Sequence, residues 1–436
     1  MAGVTQEEPP PVDTLPSDGG CAAREPGDGP ATTQRLLAPR EGTPRPITTA
    51  VELARLAERL AAGTGPVAID AERASGYRYS QRAYLVQLRR AGVGTALIDP
   101  ISVPDLKEVG AALQDCEWVL HAANQDLPCL AEVGMRPTRV FDTELAGRLA
   151  GFERVGLATM VIRVLGLELE KGHSAADWST RPLPQDWLTY AALDVEVLLE
   201  LRDALDQELS AQGKRSWAAE EFAALVDAVP PAARVDPWRR TSGIHKLRSR
   251  RQVAAVREMW LARDEIARRR DIAPGRILPD AAIIAAVTAD PKTADDLLEL
   301  RTFGGRANRR LVGTWFSALE RARTASGDAL PPISLSTDAP PPASRWGERE
   351  PAAAARLATA RVGLTALSEQ LRVPMENLLT PDLVRRLTWE PPADHSPASV
   401  AAVLAAGGAR PWQIGLTADL LSAALDPDQP VSAPVE

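Results

Sequence analysis

Cysteine is almost missing from this 436-residue chain: Cys21, Cys116 and Cys129 are the three present, and no two stand in Cys-x-x-Cys spacing. Three thiols build no disulfide framework, and the pattern fits a reducing compartment. Four scattered histidines supply no zinc-ligand set. Aromatic residues make up 4% of the chain, so any core must be made from Ala, Leu and Val. No apolar run reaches bilayer-spanning length and the N-terminus lacks an apolar leader core, so a soluble, cytoplasmic protein with no membrane partner is expected. A Gly-x-x-x-x-Gly-Lys-Ser/Thr loop is absent as well, which excludes a helicase motor and argues against a nucleotide cofactor.

What is present is a chain long enough for about three domains. Its net charge of -8 conceals an uneven distribution. Between Arg234 and Arg323 there are 20 Lys and Arg against 11 Asp and Glu, so the remainder is clearly acidic. A whole-chain isoelectric point would therefore wrongly discourage a nucleic-acid partner.

Residues 1–45, rich in Pro, Gly, Glu and Thr and without periodicity, read as a disordered tail. Thr48-Thr49-Ala50-Val51-Glu52 then starts a helix, a Thr cap preceding Val51, Leu53, Leu56 and Leu60, and Gly63 ends it. Pro66 to Glu72 is a short buried strand ending in Asp-Ala-Glu. Strand side chains alternate, so Asp70 and Glu72 share one face and repel each other unless a cation lies between them. Tyr84–Leu88 and Thr95–Asp99 form a hairpin across Ala91–Gly94. A helix over 104–113 leads to a strand over 117–121, with Asp126 at the start of the next helix and His121 packed beneath. A second Asp-x-Glu, Asp142 and Glu144, opens a helix. Asp142 is an N-cap there, and the pair is rejected as a metal pair because residues two apart on a helix diverge.

Leu188 to Ala204 is one uninterrupted helical pattern, which stacks Tyr190 and Asp194 one turn apart on the same face. Ahead of it, residues 168–182 lose periodicity. Lys171, Trp178 and Arg181 lie in this loop and are the candidate nucleic-acid contacts, Trp178 by stacking and the cations on phosphate. The element order predicts a mixed sheet flanked by helices, with the first and fourth strands adjacent. Asp70, Glu72, Asp126 and Asp194 then converge, and four carboxylates at one point demand metal. Such oxygen sites suit two divalent cations, Mg²⁺ or Mn²⁺. Asp70 would bridge the two, Glu72 and Asp194 would complete the first, and Asp126 would hold the second, with Tyr190 orienting the attacking water.

Beyond Pro230-Pro231 and Pro237 come Arg-dense helices over 253–270, 281–288, 293–300 and 306–323, expected to bind phosphate backbone. A Pro-rich linker, 327–347, follows. The pattern then repeats with a period of roughly 100 residues: Ala273-Pro274 returns as Val373-Pro374, and Phe303-Gly304-Gly305 as Ala406-Gly407-Gly408.

The acids, in the order Asp70-x-Glu72, Asp126, Tyr190-x-x-x-Asp194, resemble the tyrosine-containing branch of the DEDD superfamily of 3′→5′ exonucleases. Lys171 through Asp177-Trp178-Ser179-Thr180-Arg181-Pro182 and Tyr190-Ala191-Ala192-Leu193-Asp194 is similar to the ribonuclease D family. The basic helices resemble the HRDC module also found in RecQ helicases. The resemblance implies an α/β ribonuclease H-like exonuclease domain (46–228), two all-α HRDC-like domains (234–326 and 348–426) and a tail (427–436). It also implies a metal-dependent 3′→5′ exoribonuclease, acting as a monomer on RNA 3′ ends such as those of tRNA precursors and releasing nucleoside monophosphates. A DNA exonuclease and a non-catalytic nucleic-acid-binding adaptor are the alternatives. One departure is Arg73, where the family commonly has an apolar residue against the terminal nucleotide. The basic half is expected to aid binding and to be dispensable for cleaving short oligonucleotides.

Overall fold

The computed structural model describes residues 33–170, 172–228, 234–334 and 339–426. Among the described residues there are seven strands: β1 (Gln34–Leu36), β2 (Thr64–Arg73), β3 (Ala83–Ala91), β4 (Gly94–Ile98), β5 (Glu117–Leu120), β6 (Arg139–Asp142) and β7 (Leu167–Leu169). Five of them form a mixed sheet in the order β4-β3-β2-β5-β6. β2 is central, antiparallel to β3 and parallel to β5. Both of its faces are covered, as a central strand in an α/β layer requires. Val67, Ile69 and Ala71 enter one core cluster, with the helix Ala50–Ala62 and its Thr49 cap. Ala68 enters a second cluster, with Val195, Leu198 and Leu201. Asp70 and Glu72 continue the Ala68 face beyond the point where apolar cover stops.

Three expectations need correction. Residues 33–45, inside the expected tail, are part of the fold: β1 pairs in parallel with β7, and Arg40 reaches Glu196 and Glu200. These contacts are long-range, so composition alone could not announce them. The helix expected to run unbroken from Leu188 to Ala204 is two helices, Gln185–Glu196 and Leu198–Ala211, parted at Val197. The break follows Glu196, a fully buried acid held by Arg89 of β3 at 3.0 Å. The helix expected over 104–113 begins only at Lys107. Residues 1–32 of the tail, residues 229–233, part of the linker (335–338) and the C-terminal 427–436 lie outside the described residues.

The back half is two helical units with separate cores, one around Phe303 and Trp315, the other around Trp346 and Leu387. Each contains a 21-residue helix, Arg250–Arg270 and Pro351–Leu371. Each long helix ends in a left-handed residue, Asp271 (φ 47°) or Arg372 (φ 51°), followed by a short helix beginning at or just after a proline. This corner is the docking point in both copies. The first corner sits on the β2–β3 loop, where Ala273 N–H donates to Tyr77 O at 2.9 Å. The second sits on the helices after β6: Lys214 Nζ donates to Leu149 O at 2.8 Å and to Leu371 O at 2.6 Å. Gly151 meets Arg372 so closely that a Cβ there would lie 2.8 Å from the Arg372 carbonyl oxygen.

Trp412 seals this second interface. It is 6% exposed, stacks on Trp217 with ring centroids 5.0 Å apart, and donates its indole N–H to Glu221. Trp412→Ala should therefore remove about 3 kcal/mol, seen in urea as an early transition for release of the second unit. A single transition at the wild-type midpoint would show that Trp412 does not hold this interface.

Candidate metal centre

Two carboxylates arrive on β2 and two from later elements. Asp70, Glu72 and Asp194 each bring one carboxylate oxygen to within 4.8 Å of the other two. Asp126 is 5% exposed and lies beside Asp70, close enough for a carboxyl–carboxyl hydrogen bond. Its position is set by Asp142, which caps the helix Thr143–Leu149 through the N–H groups of Glu144 and Leu145. The same carboxylate accepts the N–H groups of Ala122 at 3.1 Å and Ala123 at 2.8 Å, fixing a left-handed turn (Ala122 φ 61°) that leads into Asp126. Asp142 is thus an N-cap with a second duty, and it is not among the clustered acids.

Tyr190 and Asp194 stand one turn apart on Gln185–Glu196 and line the same cavity. Residues around Asp70, Arg73, Asp126, Tyr190 and Asp194 enclose an open cavity of about 490 Å³, enough for about one nucleotide-sized group.

The loop residues predicted to touch nucleic acid behave differently. Trp178 is fully buried and packs on Trp187 and Tyr190, with centroids 5.4 and 6.4 Å away. It supports Tyr190 from beneath and has no face left for a base. Arg181 is committed to Asp99 at 2.7 Å and to the carbonyls of Tyr84, Trp178 and Thr180. It ties the loop to the sheet and is not free for phosphate. Lys171 lies outside the described residues.

Sequence reasoning missed Gln87, which is fully buried and donates to Asp70 Oδ2 at 3.0 Å from the directly opposite position on β3. The signal was available: one amide in the otherwise apolar run Tyr84-Leu85-Val86-Gln87-Leu88. Arg73 also enters the cavity, its guanidinium 4.0 Å from Asp126 and 3.5 Å from Gln125 Oε1.

The electrostatics follow from crowding like charges where water is scarce. Burial, followed by the neighbouring acids, pushes Glu72 well above the usual carboxylate range. Asp194 is pushed the same way by burial and then Asp70. Burial raises Asp70, and burial with the Asp70 charge raises Asp126 to about 8. The Tyr190 phenol is raised by burial and by Asp194, so it stays an O–H donor. Burial lowers His121 to about 4 while its Nδ1 pairs with the Thr143 hydroxyl at 2.9 Å, so it is neutral and structural. Such a donor set, all hard oxygen and short of counter-charge, fits divalent Mg²⁺ or Mn²⁺.

The chain matches the family described as "3'-5' exonuclease" over residues 44–210, the HRDC domain over 252–319, and the "3' to 5' exonuclease C-terminal domain" over 339–425. Ribonuclease D of Granulibacter bethesdensis is 32% identical over 337 residues, spanning 75% of this chain and 82% of that one. A protein from Bifidobacterium adolescentis of known crystal structure is similar at TM-score 0.83 and 38% identity, over 90% of this chain and 100% of that one. Escherichia coli RNase D is similar at TM-score 0.64 and 27% identity, over 88% and 99%.

The raised acids give the metal-free protein a defined pH response. A carboxyl whose folded pKa exceeds its unfolded value contributes stability that is complete below the unfolded value and is lost as pH climbs through the folded one. For Asp126 that window runs from the ordinary carboxylate value of 3.8 to about 8. In EDTA, the wild-type melting temperature minus that of Asp126→Asn should fall between pH 5 and pH 8.5. The rise in melting temperature on adding Mg²⁺ should be larger at pH 8 than at pH 6, because ligation needs the deprotonated acids. A difference that is flat with pH would contradict this account.

Proposed function

The chain belongs to the ribonuclease D family, and on that premise we propose that it shortens RNA from the 3′ end by metal-assisted hydrolysis of the terminal phosphodiester, releasing nucleoside 5′-monophosphates. The observation that carries the reading is the meeting of Asp70, Glu72 and Asp194 within 4.8 Å, at the floor of a cavity that also holds Asp126 and Tyr190.

Asp70, Glu72 and Asp194 would hold one divalent cation, and Asp70 with Asp126 a second. Bound there, the cations supply charge for the attacking and leaving oxygens of the phosphate. The protein's own contribution is placement. Gln87 Nε2–H fixes Asp70 from the adjacent strand. The Tyr190 hydroxyl, held protonated by its surroundings and supported by Trp178, positions the attacking water by hydrogen bonding and does not serve as its base.

The solved Escherichia coli relative is described as an exoribonuclease involved in structured RNA processing. Small structured RNAs, tRNA precursors among them, are the substrates we propose, met by a cytoplasmic monomer. A basic surface on the first helical unit suits such a substrate. Arg301, Arg306, Arg309 and Arg310 are exposed and form no ion pair among the described residues. They surround the start of the helix Arg306–Thr324, whose Gly305 cap offers no side-chain acceptor to its first N–H groups.

End-labelled RNA incubated with Mg²⁺, Mn²⁺ or EDTA tests the reading, with single-stranded DNA of the same sequence alongside. Stepwise loss from the 3′ end of RNA is expected with either metal and none in EDTA. Asp194→Ala or Asp70→Ala should abolish turnover while RNA is still bound, and Tyr190→Phe should slow it by about 100-fold. Unchanged turnover in either Asp variant would discard the site, and faster loss from DNA would reassign the substrate. Replacing Arg306, Arg309 and Arg310 by Ser should weaken RNA binding and reduce the slope of log affinity against log salt by about 2. A slope equal to wild type would place the phosphate contacts elsewhere.

A further inference from the structure

We propose that Asp271, on the first helical unit, is a positioning residue for the hydrolytic site, acting through the loop that joins β2 to β3. The proposal rests on the nuclease reading and adds to it a requirement for a domain that the sequence marks only as a binding module.

The need for an outside support is visible in the sheet. β2 and β3 pair in regular register through Glu72 and Leu85, and then the register shifts between Glu72 and Arg73. An irregularity of this kind ends the ladder's hold on the strand just where the acids stand. The chain leaves β2 at Arg73 and rejoins the sheet at Ala83. A loop's backbone groups ordinarily turn to water. Here they turn to the helical unit. Asp271 Oδ1 accepts the N–H groups of Tyr79 at 3.1 Å and Ser80 at 2.9 Å, and Oδ2 accepts the Tyr84 hydroxyl at 3.4 Å. Arg276 Nε donates to Gly76 O at 2.7 Å and its guanidinium lies 4.0 Å from the centre of the Tyr77 ring. The Tyr79 hydroxyl donates to Asp264 at 3.2 Å.

The other side of the same loop faces the segment that leads into the helix carrying Tyr190 and Asp194. The Tyr77 hydroxyl donates to Ala175 O at 3.4 Å and Arg78 Nε to Ser179 Oγ at 2.8 Å. Ala74, fully buried, packs with Trp178 and Ala191 in the cluster under Tyr190. The loop is therefore a bracket that touches both carriers of the acids and is gripped from outside by one carboxylate. Three of the chain's four tyrosines, Tyr77, Tyr79 and Tyr84, are spent on it, and the fourth is Tyr190. If the grip is lost, the separation between Glu72 and Asp194 is no longer fixed, and small displacements of aligned groups are costly in rate.

The test uses the full-length chain and a short 5′-labelled RNA with a 3′-hydroxyl, at saturating RNA and Mg²⁺. Asp271→Gly keeps the left-handed backbone and removes the acceptors, whereas Asp271→Asn keeps an acceptor oxygen in a residue that tolerates that conformation. The rate of removing the first nucleotide should fall by about 10-fold or more in Asp271→Gly and stay near wild type in Asp271→Asn. The dissociation constant for the same RNA in EDTA should not move in either. Arg276→Ala, which leaves the long helix and its end intact, should lower the rate as Asp271→Gly does. Trp412→Ala, which loosens the equivalent corner of the second unit away from the loop, should leave the rate unchanged. Asp271→Gly and Arg276→Ala both turning over like wild type would overturn the proposal, and so would equal losses in the Gly and Asn variants, or losses accounted for by weaker RNA binding. A wild-type chain that leaves RNA intact is a different result and removes the nuclease reading itself.

Discussion

Like-charge repulsion is the interaction around which the first half of this molecule is arranged. Four carboxyl groups from β2, the turn before Asp126 and the helix Gln185–Glu196 are held together where few waters can separate them. Left alone, such a set resists ionisation: burial raises all four, and repulsion from neighbouring acids adds to it at Glu72, Asp126 and Asp194. The fold tolerates the conflict because the acids are held by something other than one another: Asp70 by Gln87, Asp126 by the turn that Asp142 fixes, and Asp194 by a helix whose Leu188, Ala191 and Ala192 pack in the cluster with Trp178. Affinity for divalent ions is the useful face of that tolerated strain.

Much of this arrangement was legible in the residues. Alternation along a strand placed Asp70 and Glu72 together, helical spacing placed Tyr190 over Asp194, and the chain's element order made β2 and β5 neighbours. Caps at Thr49 and Asp142 follow from side-chain chemistry that acts over three residues, which is why local reasoning reaches them. The basic helices and their repeat were readable for the same reason.

What escaped was decided by partners far away in sequence. Trp178 and Arg181 look like a nucleotide clasp in a loop without periodicity, and only the fold reveals that one lies beneath Tyr190 and the other beside Asp99. The segment from residue 33 looks like tail because the strand it joins, β7, is more than 130 residues onward. The break at Val197 sits in a perfectly good helical pattern, beside an ion pair formed by Glu196 with β3. Gln87 was a polar residue in an apolar strand, and its importance rests on lying opposite Asp70.

The repeated corner at the end of each long helix carries a further implication. A polypeptide that contains two look-alike modules and two seats for them runs the risk of seating each in the other's place while it folds. Here the residue at the tip differs in sign between the copies. Asp271 offers a carboxylate to two amide donors, whereas Arg372 brings its main chain against Gly151, next to the ammonium of Lys214. An arginine presented to the first seat would find donors facing donors. After a duplication, inverting one charge is a small change that bars the second corner from the first seat.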